Sequence, residues 1–298
     1  MTPTTIPPTA HTATRPGSPP GRPVTPSTII AAEIGALRDE LSVAGHLTPE
    51  LGARLDRLHR LAAGLEPYVG ECTSPPSRAL TQLAHRTAET PWFGDGAAAH
   101  VVPLEQEMLS GHVEGALLGF LVAMSQARRI LEVGMFTGYA TLAMAQALDD
   151  DGTVVACELD PAVAEFARAG FAASPAGQKI SVHVGPAGDT LTGFAAQPPA
   201  ERPVFDLVFI DADKPGYLGY LETILSGGLL AEHGTVVVDN TLMQGEPYLD
   251  CDERSPNGEA IAAFNAAVRD DPRVVQVLLP IRDGVTLIRR RPEASTPR

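Results

Sequence analysis

From Ala127 onward the chain alternates short apolar runs with stretches of helical period, and this rhythm restricts the fold more than any other feature. The apolar runs predict strands at Ile130–Val133, Thr153–Glu158, Ile180–Val184, Phe205–Ile210 and Gly234–Val238. Helices are predicted between them, at about Tyr139–Leu148, Pro161–Ala172 and Tyr217–Ser226. Alternating strands and helices imply a parallel sheet covered by helices on both faces. The end breaks the rhythm. "VVQVLLPIRDGVTLIRR" predicts two strands, Val274–Leu279 and Val285–Arg289, joined by a short Asp-Gly turn. That is a hairpin, so one terminal strand runs antiparallel. The fold class is therefore α/β: seven strands, mostly parallel, with an antiparallel C-terminal hairpin.

Helices precede this region. Ile30, Ile34, Leu37 and Leu41 fall at helical spacing from Thr28 onward. A second helix starts at Thr48-Pro49-Glu50, with an N-cap threonine and proline at the first helical position. Its predicted apolar face is Leu51, Leu55, Leu58, Leu61 and Leu65. The two read as an α-hairpin that packs on the body, with a dimer contact as the alternative. Further helices are predicted at Ser77–Thr87 and about Gln106–Ser125. Residues 1–27 are rich in proline and threonine and cannot bury enough surface to offset chain entropy, so a disordered tail is predicted. The expected division is this tail, a helical cap over 28–105 and a catalytic domain over 106–298.

The N-terminus lacks the apolar stretch of a signal peptide. No run of about 18 apolar residues suggests a membrane span. A net charge of −14 repels phosphate backbones, so nucleic acid is not an expected partner. Cys72, Cys157 and Cys251 are too widely spaced for a disulfide framework or a CxxC metal pair. They fit a reducing cytoplasm.

Chemistry concentrates where the strands end. "ILEVGMFTGYATLAMA" (130–145) is strand, glycine turn, helix, with Gly134 and Gly138 free to turn tightly beside a ligand. The spacing is not the G-x-G-x-x-G of dinucleotide enzymes, which weakens a pyrophosphate site and a nicotinamide-dependent oxidoreductase. Glu132 adds negative charge that would suit an ammonium or sulfonium. Glu158, ending the second strand 20 residues after Gly138, can accept both hydroxyls of a ribose. Asp160 fits a helix cap better. Gly185-Pro186-Ala187-Gly188 offers small residues against which a flat base can lie.

"VFIDADKPGY" (208–217) ends an apolar strand in Asp211, Asp213 and Lys214. The next strand ends in Asp239-Asn240-Thr241. Adjacent parallel strands place these ends side by side. Two carboxylates and an amide oxygen are hard ligands that suit Mg²⁺, Mn²⁺ or Ca²⁺ rather than zinc. Lys214, next to such a cation, could accept a proton from a hydroxyl. An ion pair with Asp213 is the plainer alternative.

Together these residues resemble the caffeoyl-CoA O-methyltransferase family from about Pro67 to Arg290, through "EVGMFTGYATLAMA", "FIDADK", "VVDNTL" and "GVTLIRR". The resemblance implies a Rossmann-like fold, S-adenosyl-L-methionine, a divalent cation and a homodimer. It implies that Asp211, Asp239 and Asn240 hold the cation and that Lys214 is the base. It further implies cofactor contacts from Glu132, Gly134, Tyr139, Glu158, Ala187, Met108 and Ser110. Ala140 stands where the family usually has serine. "LAAGLEPYVGECTSP", "LEQEMLSGHVEG" and "DNTLMQGEPYL" are similar to the mycosporine-pathway O-methyltransferases, which convert demethyl-4-deoxygadusol to 4-deoxygadusol. A catechol or another natural-product diol is the alternative substrate, to be decided by the loop Met243–Tyr248. His112, Tyr248 and Arg282 are candidate substrate contacts.

Overall fold

A computed structural model describes residues 22–92 and 100–292. The helical region comprises α1 (Pro26–Val43), α2 (Pro49–Ala63), α3 (Leu65–Glu71), α4 (Arg78–Glu89) and α5 (Gly111–Ser125). Strands and helices then alternate: β1 (Arg129–Val133), α6 (Tyr139–Ala147), β2 (Thr153–Glu158), α7 (Pro161–Phe171), β3 (Ile180–Val184) and α8 (Ala187–Ala195). The second half runs β4 (Phe205–Ile210), α9 (Tyr217–Ser226), β5 (Leu230–Val238), α10 (Pro256–Asp270), β6 (Val274–Leu279) and β7 (Val285–Arg290).

The seven strands form one sheet in the order β3-β2-β1-β4-β5-β7-β6. The first five are parallel, and β7 pairs antiparallel with both β5 and β6. The order reverses between β1 and β4, so their carboxyl ends open a crevice at that switch point. Side chains along each strand alternate between two apolar layers. Ile130 and Leu207 face a cluster with Leu118, Leu142 and Phe171, whereas Leu131 and Val208 face one with Leu221, Ile224 and Phe264. Each fully buried side chain of this kind contributes roughly 1.5–3 kcal/mol, so the central strands are rigid supports for the loops at their ends.

Several boundaries differ from expectation. The first helix starts at Pro26, not Thr28, because Thr25 caps it in a reciprocal capping box with Thr28. Of the tail predicted as disordered over 1–27, residues 22–27 are instead ordered, because Arg22 pairs with Glu105 and Thr25 is buried as the helix cap; residues 1–21 lie outside the described residues. The α1–α2 hairpin is present, but of the predicted leucine face only Leu55 is buried; Leu58, Leu61 and Leu65 are exposed. The helix predicted over 106–125 is split. A 3-10 turn at Gln106–Met108 precedes α5, and Gly111 sits at φ +77 between them. By length and mean hydropathy, 1.4, Gln106–Ser125 could cross a membrane, against the expectation that no stretch would. In this fold one face of it packs, with Leu118 and Val122 buried against α6, while Phe120 and Met124 on the other face are exposed. Helices α3, α8 and α10 were not predicted.

Candidate active site

The crevice at the switch point encloses about 670 Å³. One end is built by β1, β2 and the turn after β3. Gly134, at φ +90, follows β1. A Cβ there would lie 2.1 Å from the Asp211 carbonyl oxygen, so glycine is what lets the two strand ends meet. Glu158 is buried, and its oxygens accept the amide protons of Phe136 at 2.7 Å and Asp160 at 2.9 Å. Each oxygen keeps a lone pair for a ligand hydroxyl. Burial pushes its carboxyl above the usual range. Ala187 lines the same end at the first residue of α8. Asp160 caps α7, as its position suggests, and also accepts from His100 at 3.0 Å and from the Val101 amide at 2.9 Å.

The other end gathers the acids. Lys214 donates from Nζ to Asn240 Oδ1 at 2.5 Å, Tyr217 Oη at 2.7 Å and Asp211 Oδ1 at 3.0 Å. Its partner is therefore Asp211, not Asp213, whose carboxylate accepts from Tyr220 at 2.5 Å. Asp239 is buried. Burial first, then the charge of Asp211, pushes its carboxyl up to about 6. Asp211, Asp239 and Asn240 all line the crevice. Among the described residues no three His, Cys, Asp or Glu side chains group into a metal cage. The convergent set is instead two carboxylates and one amide.

Of the predicted cofactor residues, Met108, Ser110, Gly134, Glu158, Ala187 and Asp211 face the crevice. Glu132, Gly138, Tyr139 and Ala140 lie buried behind its wall. Glu132 Oε2 accepts from the Thr141 hydroxyl, while Oε1 has no partner. Among the substrate candidates, Arg282 reaches the crevice. His112 instead meets the Ser74 carbonyl at 2.6 Å, and Tyr248 is 62% exposed.

Sequence reasoning missed several residues. Asp283 was seen only as half of a turn. It is a buried crevice wall whose carboxylate accepts the Gln244 amide proton at 2.6 Å. Glu114 is 1% exposed with both oxygens unpartnered, and its spacing four residues before the core residue Leu118 was the available signal. Phe136, Asn240, Met243, Gln244 and Arg282 all have positive φ and all line the crevice. Such backbone concentrates at functional sites because only a well-supported loop tolerates it.

A doubly wound sheet with a glycine turn, a buried acid held by two backbone amides and an acid–amide–lysine cluster at its switch point has the architecture of a Rossmann-like enzyme. Comparison with known proteins gives its class. The O-methyltransferase family profile matches residues 96–291. Tricin synthase 1 of Oryza sativa subsp. japonica is 38% identical over 192 residues, covering 61% of this chain and 75% of its own. The caffeoyl-CoA O-methyltransferase of Petroselinum crispum is 30% identical over 233 residues, covering 76% and 90%. The S-adenosylhomocysteine-bound methyltransferase PaMTH1 of Podospora anserina superposes with a TM-score of 0.65 at 28% identity, over 78% of this chain and 96% of its own. TomG of Streptomyces achromogenes, an O-methyltransferase of tomaymycin synthesis solved with S-adenosylmethionine, gives 0.62 at 28% identity over 76% and 96%. The chain belongs to the caffeoyl-CoA O-methyltransferase-like family of S-adenosylmethionine-dependent O-methyltransferases.

Proposed function

We propose that this O-methyltransferase acts on one oxygen of a vicinal diol or enediol on a small ring, converting demethyl-4-deoxygadusol to 4-deoxygadusol, with the help of a divalent cation. The observation that carries the reading is the meeting of Asp211, Asp239, Asn240 and Lys214 in the crevice that also contains Glu158. The donor chemistry fits a hard cation. Two carboxylates and an amide oxygen offer only oxygen ligands, and the Asp239 carboxyl, raised by burial and then by the charge of Asp211, is one whose ionised form a cation would favour. Lys214 Nζ bridges Asp211 and Asn240, a contact that supports a site able to accept positive charge. The choice of demethyl-4-deoxygadusol over a catechol rests on the segments similar to the mycosporine-pathway enzymes.

A bound cation would act as Lewis acid and template for the two substrate oxygens. S-adenosylmethionine supplies a methyl group on a sulfonium. Within the chain, Glu158 is suited to the ribose hydroxyls, and Ala187 leaves space for the base. Lys214, as the neutral amine it would become beside a bound cation, would be placed to take the hydroxyl proton as the oxygen–methyl bond forms and the carbon–sulfur bond breaks. Tyr217 holds Lys214 in position, since its own hydroxyl is anchored to the Asp239 carbonyl at 3.2 Å. Charge disappears in such a transfer, so holding the reacting atoms together in a dry crevice accounts for most of the acceleration.

The test is mass spectrometry of demethyl-4-deoxygadusol incubated with enzyme, S-adenosylmethionine and Mg²⁺, with a chelator control. A product one methyl heavier, lost with chelator, supports both substrate and cation. Methylation of a catechol but not of demethyl-4-deoxygadusol discards the pathway and keeps the chemistry. Undiminished product with chelator removes the cation.

A further inference from the structure

Arg282 occupies the turn between β6 and β7 at φ +50, a left-handed conformation for a long side chain. Its guanidinium does not end in open space. Nη1 donates to the Ser110 carbonyl, and Nη2 lies 3.4 Å from the Leu109 carbonyl. Nε lies 3.9 Å from Glu114 Oε2, and that buried carboxylate has no hydrogen-bond partner of its own. The space for this fork exists because residue 111 is glycine. A Cβ there would come within 2.6 Å of Nη1.

The turn that carries Arg282 is fastened to the loop following Asp239 and Asn240. Thr241 N–H donates to the Gly284 carbonyl at 3.0 Å, Leu242 N–H to the Asp283 carbonyl at 2.8 Å, and Gln244 N–H to the Asp283 carboxylate at 2.6 Å. Met108, Leu109 and Ser110, at the far end of the guanidinium, line the crevice, and the resemblance assigns Met108 and Ser110 to the cofactor. One side chain thus bridges that stretch of wall and the loop that carries the acid–amide set.

We infer that Arg282 is a positioning residue, a clamp that holds segment 108–111 against the loop 239–244 and so couples binding at the two ends of the crevice. A planar fork is required, because adjacent carbonyls and a carboxylate must be reached together. A lysine would keep a charge near Glu114 but could not span the set. Losing the charge altogether would leave Glu114 buried and unpaired. The coupling to a cation rests on the function proposed above; the clamp on the cofactor wall does not.

The test uses the full chain as Arg282→Lys and Arg282→Gly, the second residue being at ease at this φ. S-adenosylhomocysteine is titrated calorimetrically in chelator and in Mg²⁺, and amide hydrogen exchange is followed over residues 108–112. In chelator both variants are expected to bind roughly tenfold more weakly, as for loss of charge-assisted hydrogen bonds, with faster exchange confined to that segment. Wild-type affinity and exchange in a folded Arg282→Lys chain would overturn the clamp. In Mg²⁺ the wild-type chain is expected to bind S-adenosylhomocysteine more tightly, and the variants to lose that gain. A wild-type chain whose S-adenosylhomocysteine affinity is indifferent to Mg²⁺ would overturn the coupling, with the clamp on the crevice wall still decided by the chelator titration and the cation reading by the chelator control on turnover.

Discussion

The Lys214 ammonium lies 2.5 Å from the side-chain oxygen of Asn240, so the proposed base and a proposed cation ligand share one hydrogen bond. Asn240 holds its place from a left-handed backbone at φ +56. The contact means that placing a cation on Asn240 and freeing Lys214 to take a proton are linked events. Lys214→Ala is expected to lower kcat by about 10²–10⁴-fold, the usual worth of a positioned base, with S-adenosylhomocysteine affinity kept. Single-turnover kinetics beside calorimetry checks both, and an unchanged kcat removes the base assignment alone.

Asp239→Asn replaces a buried carboxylate with a neutral group of the same shape. Its loss should weaken Mg²⁺ binding by at least the roughly 10–100-fold that removal of an outer-shell partner causes. Titration of turnover with Mg²⁺ measures this. A variant with the wild-type Mg²⁺ midpoint sinks the ligand role of Asp239.

Glu158 is held by two backbone amides with lone pairs to spare. Glu158→Ala is expected to weaken S-adenosylhomocysteine binding roughly 10–100-fold, the loss of charge-assisted hydrogen bonds to a ribose. Binding of methylthioethane-type fragments lacking the ribose should not change, and a parallel loss there would point to collapse of the wall instead.

Asp283 predicts a pH effect on stability. Burial, ahead of the Gln244 hydrogen bond that opposes it, pushes its carboxyl from an ordinary 3.8 up to about 7. The folded chain therefore keeps a proton that the unfolded chain has lost between about pH 4 and pH 7. This group favours the fold below that window and works against it as pH rises through about 7. Asp283→Asn, whose side-chain oxygen can still accept from Gln244, should leave thermal stability unchanged at pH 4 and raise it at pH 8. Melting curves in chelator decide it, and an equal shift at both pH values rejects the protonation argument.

Much of the sheet was legible because strand signals are local. Thr153–Glu158, Ile180–Val184, Phe205–Ile210 and Val274–Leu279 begin and end as predicted, each an apolar run between turn residues. The strand predicted from Gly234 begins earlier, at Leu230, which pairs with Phe205; a register shift before the Leu207–Thr235 pair then takes in Glu232 and His233 as an irregularity within the strand. Helix α8 was read as a turn, since Gly185-Pro186-Ala187-Gly188 punctuates the chain although the helix starts within it. In the candidate site, Asp211, Asp239, Asn240 and Lys214 could be paired from adjacent strand ends. Asp283 and the destination of the Arg282 side chain could not, and Glu114 was marked only by its helical spacing from Leu118. Their roles depend on how α5 and the last hairpin meet across the crevice, which no local pattern records.

The reversal of strand order between β1 and β4 divides the molecule into two ports. On the function proposed above, the methyl donor takes the port framed by β1, β2 and β3, and the acceptor takes the one framed by β4, β5 and the final hairpin, with the turn at Met243–Tyr248 as its rim. Each frame is anchored by its own buried strands, and the Arg282 turn is the link between them. Such a molecule is a chassis with one fixed socket and one exchangeable socket, in which a new acceptor requires the second to be rebuilt around that link.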